Sequence, residues 1–325
     1  LVNFMIGFAA MLVFMVVDYK VFKFLIKYVY AANLVLLIMI FAAGKTRGIA
    51  GWFKLDFIDR ALQPGELCKI SIIVTLSKYV SDCMDKEGKF RGLGYIIKTT
   101  MYCAVPTVLV MMQPDFGTAF VFICIMVFIY FIGRISWGYI LTAAGGLAVC
   151  MPLAYYFVLS DSQRERIDVF INPESDLQNS GYNVAQSKIA IGSGQLTGKG
   201  FFSEGTLAQL RFVPERHTDF IFAGIVEGLG FVGGTIIICL FFALIFRWIY
   251  IAMRTKDSFG TCLVVGVAGM FTAHVFENIG MTIGLMPVTG IPLPFISYGG
   301  SNLLTNLIGV GIVENVWMRR QSKKR

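Results

Sequence analysis

Residues 211–246 read RFVPERHTDF IFAGIVEGLG FVGGTIIICL FFALIF. A charged segment holding Arg211, Glu215, Arg216, His217 and Asp219 runs directly into an apolar stretch long enough to cross a bilayer, whose only charged residue is Glu227. A run of that length and composition predicts a membrane helix with a carboxylate and an imidazole at its mouth. Asp219 has an ordinary use at such a place: a short acidic side chain caps free N–H groups and complements the helix dipole. The same carboxylate can serve as a base, and the two roles are compatible.

Working outward, apolar runs of this kind recur along the chain. Hydrophobic residues make up 56% and the mean hydropathy is +0.71. The pattern predicts an all-α, polytopic helical membrane protein, a single membrane domain over residues 1–325 with nine spans. These are placed at about 1–17, 28–43, 64–80, 95–112, 116–132, 138–159, 219–246, 259–286 and 295–317, each near the ~20 residues that cross a bilayer. One long polar loop, 160–218, interrupts them, and structureless segments of that length are usually functional. The N-terminus is apolar from Leu1 with no basic flank, which is not the pattern of a cleavable signal peptide and suggests that an earlier segment precedes it.

Composition also excludes several classes. The seven cysteines fall in or beside the apolar runs and none lies in the long loop, so no disulfide framework staples it. Two histidines and no Cys/His cluster argue against a zinc site. The net charge of +8 could suggest nucleic acid, but the basic residues are dispersed between apolar runs and read as topology signals. Lys20, Lys23, Lys27, Lys86, Lys89, Arg91, Arg134, Arg247, Arg254, Lys256 and the tail from Arg319 to Arg325 fall on one side. The positive-inside rule makes that side cytoplasmic, C-terminus included, so the 160–218 loop and the 44–63 loop face outward. The latter interleaves aromatic and charged residues as interfacial segments do.

Charges inside membrane-length runs are functional candidates by default. In QPGELCKISIIV, Pro64 suits the first helical turn, and Glu66 and Lys69 stand three apart on one face, able to pair. A structural ion pair is the plainer alternative. Asp115 in QPDFGTAF is a cap or a ligand-directed acid. Glu227, His274 and Glu277 lie in later spans. The loop's glycine-rich run, Gly192, Gly194, Gly198 and Gly200, is either a flexible turn or a phosphate cradle, though it lacks nucleotide-loop spacing. MPVTGIPLPFISYGGSN (286–302) holds three prolines and three glycines and cannot stay a regular helix. It is a tight re-entrant connection or, through residues such as Ser297 and Gly299, a substrate contact.

Together, QPGELCK (63–69), QPDFGTA (113–119), NPESDLQNSGYNVAQSKIAIGSG (172–194), GKGF (198–201), PERHTDFIFA (214–223) and TGIPLPFISYGGSN (289–302) resemble the SEDS family, which includes RodA, FtsW and SpoVE. IAIGSG with GKGF is most similar to the RodA branch. The resemblance implies a ten-span bacterial plasma-membrane glycosyltransferase that polymerises lipid II into peptidoglycan beside a class B penicillin-binding protein. Ten spans against nine fits loss of the first. It further implies that Asp219 is the family's essential carboxylate, Glu66 and Lys69 its buried pair, and Asp115 a further functional acid. The chain departs from the family pattern at Gly228, where a second acid usually follows Glu227, and at Gly65, where Ser is usual.

The implied chemistry suits these residues. Lipid II carries an α-linked pyrophosphate, so forming a β-1,4 bond inverts the anomeric centre in one displacement, and one general base suffices: Asp219. The leaving lipid pyrophosphate needs positive charge, for which Arg216, Lys199, Arg211 and Lys69 are candidates, with His217 a further substrate contact. A divalent cation, Mg or Mn, could assist, although no ligand pattern specifies one. Two other functions remain open on the sequence: a lipid II flippase, since broken helices and intramembrane charges suit transporters, and a non-catalytic scaffold for a penicillin-binding protein.

Overall fold

The structure, a computed structural model, describes residues 2–43, 53–55, 60–157, 161–172, 180–200 and 217–320. Arg211 and Arg216 lie outside the described residues, as does most of the 44–63 loop.

Every apolar segment read from the sequence coincides with a long helix. Among the described residues these are α1 (Val2–Val16), α2 (Phe22–Ala43), α3 (Pro64–Glu87), α4 (Leu93–Met111), α5 (Phe116–Ile132), α6 (Trp137–Phe157), α9 (Ile221–Arg254), α10 (Ser258–Ile283) and α11 (Gly300–Arg319). The long loop contributes two more, α7 (Asp161–Ile171) and α8 (Ser180–Ser193). The second covers the amphipathic stretch of the loop; the first was not anticipated. Strands β1 (Phe53–Leu55) and β2 (Arg60–Leu62) form an antiparallel pair with Phe53 opposite Leu62. By length and composition, four helical stretches among the described residues are long and apolar enough to cross a membrane: Tyr19–Ile40, Leu93–Met111, Ile221–Arg254 and Ser258–Ile283.

The ends differ from the apolar runs for local reasons. α3 continues past residue 80 to Glu87 because its polar residues still suit a helix. It stops where Gly88 turns left-handed (φ 71°) and donates its N–H to Met84 O. α10 ends at Ile283, before Gly284 (φ 76°). α11 begins at Gly300 because residues 284–299 are irregular, as their prolines and glycines require.

The chain forms two compact units. The first comprises residues 1–135, 244–273 and 299–325. In it α1 packs along α11, and α3 packs against α2, α4, α5 and α11. α3 is buried almost without interruption from Pro64 to Ser77 although it carries Glu66, Lys69, Ser71 and Thr75. A helix so enclosed holds its charges only by pairing them, as Glu66 does with Lys69, and Thr75 Oγ1 donates back to Ser71 O at 2.6 Å.

The α1–α11 seam is closed by polar side chains. Asn315 donates to Phe14 O and Val17 O, while Arg319 donates to Met15 O (3.1 Å) and Val16 O (2.5 Å). Four successive carbonyls at the end of α1, which have no partner within their own helix, are thus capped by another helix.

The second unit comprises residues 136–243 and 274–298. Its core gathers Phe222, Val226, Phe241 and Leu293, with Val184, Ala190, Phe220 and Ala223 packed beside α8. Ser187 Oγ donates to Thr282 O at 2.7 Å and docks α8 on the end of α10.

Candidate functional site

In the first unit the polar residues of the two QP motifs are held in two hydrogen-bonded sets, both anchored at the start of α11. Pro64 occupies the first turn of α3, and Lys69 Nζ lies 2.6 Å from Glu66 Oε1, the two side chains being 1% and 4% exposed. Asn302, on α11, donates to the other carboxylate oxygen at 3.4 Å, and Asn306 donates to Asn302 Oδ1 at 2.8 Å. Gln63 Nε2 donates to Asp115 Oδ2 at 2.9 Å, and Gln63 N donates to Ser301 Oγ at 3.2 Å. The other oxygen of Asp115 accepts from Thr118 N at 3.0 Å, so Asp115 caps α5 and also fixes Gln63. A Cβ on Gly65 would stand 3.3 Å from Thr118 Cγ2, so a serine fits here only with a small shift. Gly299 is extended (φ 179°) at the entrance to α11.

In the second unit Asp219 sits in the turn 217–220, just before α9 begins at Ile221. Three successive carbonyls of this turn are each held from α10 or the irregular segment after it. Tyr298 N donates to His217 O (2.8 Å), Ser297 Oγ to Thr218 O (2.5 Å) and Asn278 Nδ2 to Asp219 O (2.8 Å). Asn278 also donates to Ile291 O at 2.7 Å, and Ser297 Oγ accepts from Leu293 N at 2.8 Å. His274 Nδ1 lies 3.1 Å from Pro292 O. Gly290, at φ 77°, is where the segment passes the carboxylate: a Cβ there would lie 3.3 Å from Asp219 Oδ2. Asp219 is half-buried and His217 exposed. Ser297 is buried, with its hydroxyl occupied by two backbone partners.

The glycine-rich run is docked backbone to backbone on a kink in α9, where Gly230 (φ 70°, ψ −173°) breaks the helix. Lys199 N donates to Glu227 O (3.0 Å), Gly200 N to Gly228 O (2.9 Å) and Phe231 N to Gln195 O (2.7 Å). A Cβ on Gly198 would lie 2.2 Å from Gly228 O, so only glycine permits the approach. With those N–H groups engaged, the run is neither a phosphate cradle nor a loose turn. Lys199 Nζ, 39% exposed, lies 3.5 Å from Oε1 of Glu227, itself 1% exposed, and Ser193 Oγ lies 3.4 Å from the same oxygen.

Of the residues expected from the sequence, Glu66 and Lys69 meet each other, Asp115 meets Gln63, and Asp219 is held through its backbone by Asn278; Gln63, Asn278 and Asn302 were not among those expected. An amide inside a membrane-length apolar run was the available signal for Asn278. Among the described residues no three of His, Cys, Asp and Glu converge to hold a metal ion.

The profile of the FtsW/RodA/SpoVE family, described as a cell cycle protein, matches residues 1–322. The chain is 37% identical to peptidoglycan glycosyltransferase MrdB of Escherichia coli K12 over 97% of its own length and 84% of that protein's. It is 33% identical to the probable peptidoglycan glycosyltransferase FtsW of Geobacter metallireducens, over 97% and 82%. Among solved structures it resembles a chain from work on the structural coordination of polymerization and crosslinking by a peptidoglycan synthase complex. There the TM-score is 0.83 at 27% identity, covering 99% of this chain and 89% of that one. It also resembles the rod shape determining protein RodA of Thermus thermophilus, with TM-score 0.71 at 25% identity over 99% and 87%. On a match of nearly its whole length, the chain belongs to the SEDS family of FtsW, RodA and SpoVE proteins, multi-pass membrane proteins of cell-wall synthesis.

Proposed function

We propose that this chain is a peptidoglycan glycosyltransferase that polymerises lipid II by an inverting displacement, with Asp219 as general base. The observation that carries the reading is the three-point clamp on the turn 217–220, which fixes the backbone bearing the Asp219 carboxylate. A base must be held to within a fraction of an ångström to be worth its usual ~10²–10⁴-fold in rate. Asp219 takes the proton of the acceptor hydroxyl, whose oxygen attacks the anomeric carbon of the donor sugar. The bond to the lipid pyrophosphate breaks with inversion, and the leaving group carries away the negative charge.

Cations near the leaving group lower that barrier. Lys199 is part-exposed and positioned by Glu227, and Arg211 and Arg216 lie in the same loop in sequence. The Glu66–Lys69 pair, with Asn302 behind it, is a rigid charged element of the same enzyme. Residues 1–325 act as one membrane domain with nine spans and a cytoplasmic C-terminus. The 160–218 loop lies outside, where the polymer is made. Similarity to a chain of a peptidoglycan synthase complex supports a class B penicillin-binding protein as partner.

Purified protein given labelled lipid II in detergent tests the reading. An enzyme makes glycan polymer there. A flippase or a scaffold makes none, because detergent offers no second face to transport to, and absence of polymer from folded protein with its partner refutes the proposal.

A further inference from the structure

Where α9 and α11 end in the first unit, three arginines and two aromatic rings form one continuous ladder. Arg254 Cζ stands 5.2 Å from the Tyr250 ring centroid, and Arg247 Cζ stands 5.6 Å from the same ring and 4.8 Å from Trp317. Arg320 Cζ stands 3.2 Å from the Trp317 ring centroid, and its Nη1 donates to Trp317 O at 2.8 Å, which leaves its remaining N–H groups for a ligand. None of the three guanidinium groups forms an ion pair among the described residues. Asp257, the acid nearest in sequence to Arg254, is engaged by Tyr19 OH and Gly260 N. Arg319, in the same turn as Arg320, is consumed by Met15 O, Val16 O and Asn315.

A guanidinium held beside a ring spends none of its N–H donors on that ring, and its planar fork matches phosphate oxygens. Three such groups without carboxylates form a site for a doubly acceptor-rich anion. The surroundings specify what the anion is attached to. Phe246 and Met253, each next in sequence to a ladder arginine, and Met318, two residues before Arg320, are 65%, 70% and 53% exposed. A free phosphate has no use for an apolar border, whereas a lipid has acyl chains to lay on it.

We propose that the ladder Arg254–Tyr250–Arg247–Trp317–Arg320 is a binding site for the phosphate headgroup of an anionic phospholipid. A zwitterionic headgroup brings an ammonium that the three arginines repel, so the site selects for net negative charge. The site shares no residue with the proposed catalytic groups, and it does not depend on the catalytic reading.

The test uses the full chain reconstituted in phosphatidylcholine vesicles containing a trace of spin-labelled phosphatidylglycerol or spin-labelled phosphatidylcholine. The motionally restricted fraction of each reports its relative association. Wild type is expected to favour phosphatidylglycerol, and R247Q/R320Q to lose roughly five-fold of that preference per arginine removed. R91Q, at an exposed arginine paired with Glu87, is expected to keep it. Equal association of both lipids with wild type overturns the proposal whatever the variants do, including any that fail to fold. Full preference in R247K/R320K also overturns it, since diffuse charge alone would then explain the effect. Loss of preference on adding inorganic phosphate, at ionic strength matched with chloride, would show a free-anion site and overturn the lipid assignment.

Discussion

The Asn278 side chain donates to the backbone carbonyl of Asp219 at 2.8 Å, and its nitrogen also donates to Ile291 O at 2.7 Å. One fully buried amide thereby joins the turn that carries the carboxylate to the segment that passes it. Asn278→Leu keeps the number and branching of the side-chain atoms and removes both bonds, a loss of about 1–3 kcal/mol for the buried bond to Ile291 O alone. The expected result is a lower melting temperature together with a fall in lipid II polymerisation of about 10²-fold, as for a misplaced base. A folded Asn278→Leu protein with a near-wild-type initial rate would show that the clamp does not position Asp219.

Asp219 itself separates capping from catalysis. Asn caps a helix about as well as Asp, so Asp219→Asn is expected to hold stability within a few tenths of a kcal/mol. It cannot take a proton, and polymerisation is expected to drop by ~10²–10⁴-fold. Melting curves and polymer gels on the same preparation check both halves. Retained polymerisation would move the base to Asp115 or Glu66.

Glu66 and Lys69 are buried at 2.6 Å, so removing either strands the other's charge at about 3–5 kcal/mol. Glu66→Ala and Lys69→Ala are each expected to lose folding or activity, and the double variant to lose less than their sum. Thermal unfolding of the four proteins of the cycle measures the coupling, and strict additivity would show the pair to be independent.

The glycine run gives two opposite outcomes within one turn. A Cβ on Gly192 meets nothing within 4 Å, whereas one on Gly194 would lie 2.2 Å from Val226 O. Gly192→Ala is expected to be neutral or stabilising by up to about 1 kcal/mol. Gly194→Ala is expected to separate the run from α9 and to lower both the melting temperature and the activity. Equal melting temperatures for the two variants would contradict the docking.

Orientation is open to labelling. A cysteine at Ala185, exposed on α8, is expected to react with an impermeant thiol reagent on intact protoplasts, and one at Glu87, at the end of α3, is not. The reverse pattern would place the loop inside and contradict synthesis of polymer outside.

The helices were legible because each apolar run carries its own signal, and the Glu66–Lys69 pair was legible because its partners lie one turn apart. Gln63 and Asp115 are separated by 52 residues, and Asn278 and Asp219 by 59. Nothing in either local pattern encodes such a meeting, since it depends on how helices pack. The Lys199–Glu227 pair was missed for the same reason, although the run of glycines that permits it was visible. What sequence conveys poorly here is the use of amides: Gln63, Asn278 and Asn302 have no charge to attract notice, yet they hold three of the acids or their backbone.

The cap that Asn315 and Arg319 place on the end of α1 has a bearing on biogenesis. Asn315 and Phe14 are 301 positions apart, so during synthesis α1 enters the bilayer long before its capping residues exist. Until then its last carbonyls, beside Asp18 and Lys20 at the end of the apolar run, are met by water or lipid headgroups, and the first unit closes only when α11 arrives. A nascent chain stopped short of Asn315 therefore differs from the finished protein by a row of four acceptors that no side chain of its own yet meets.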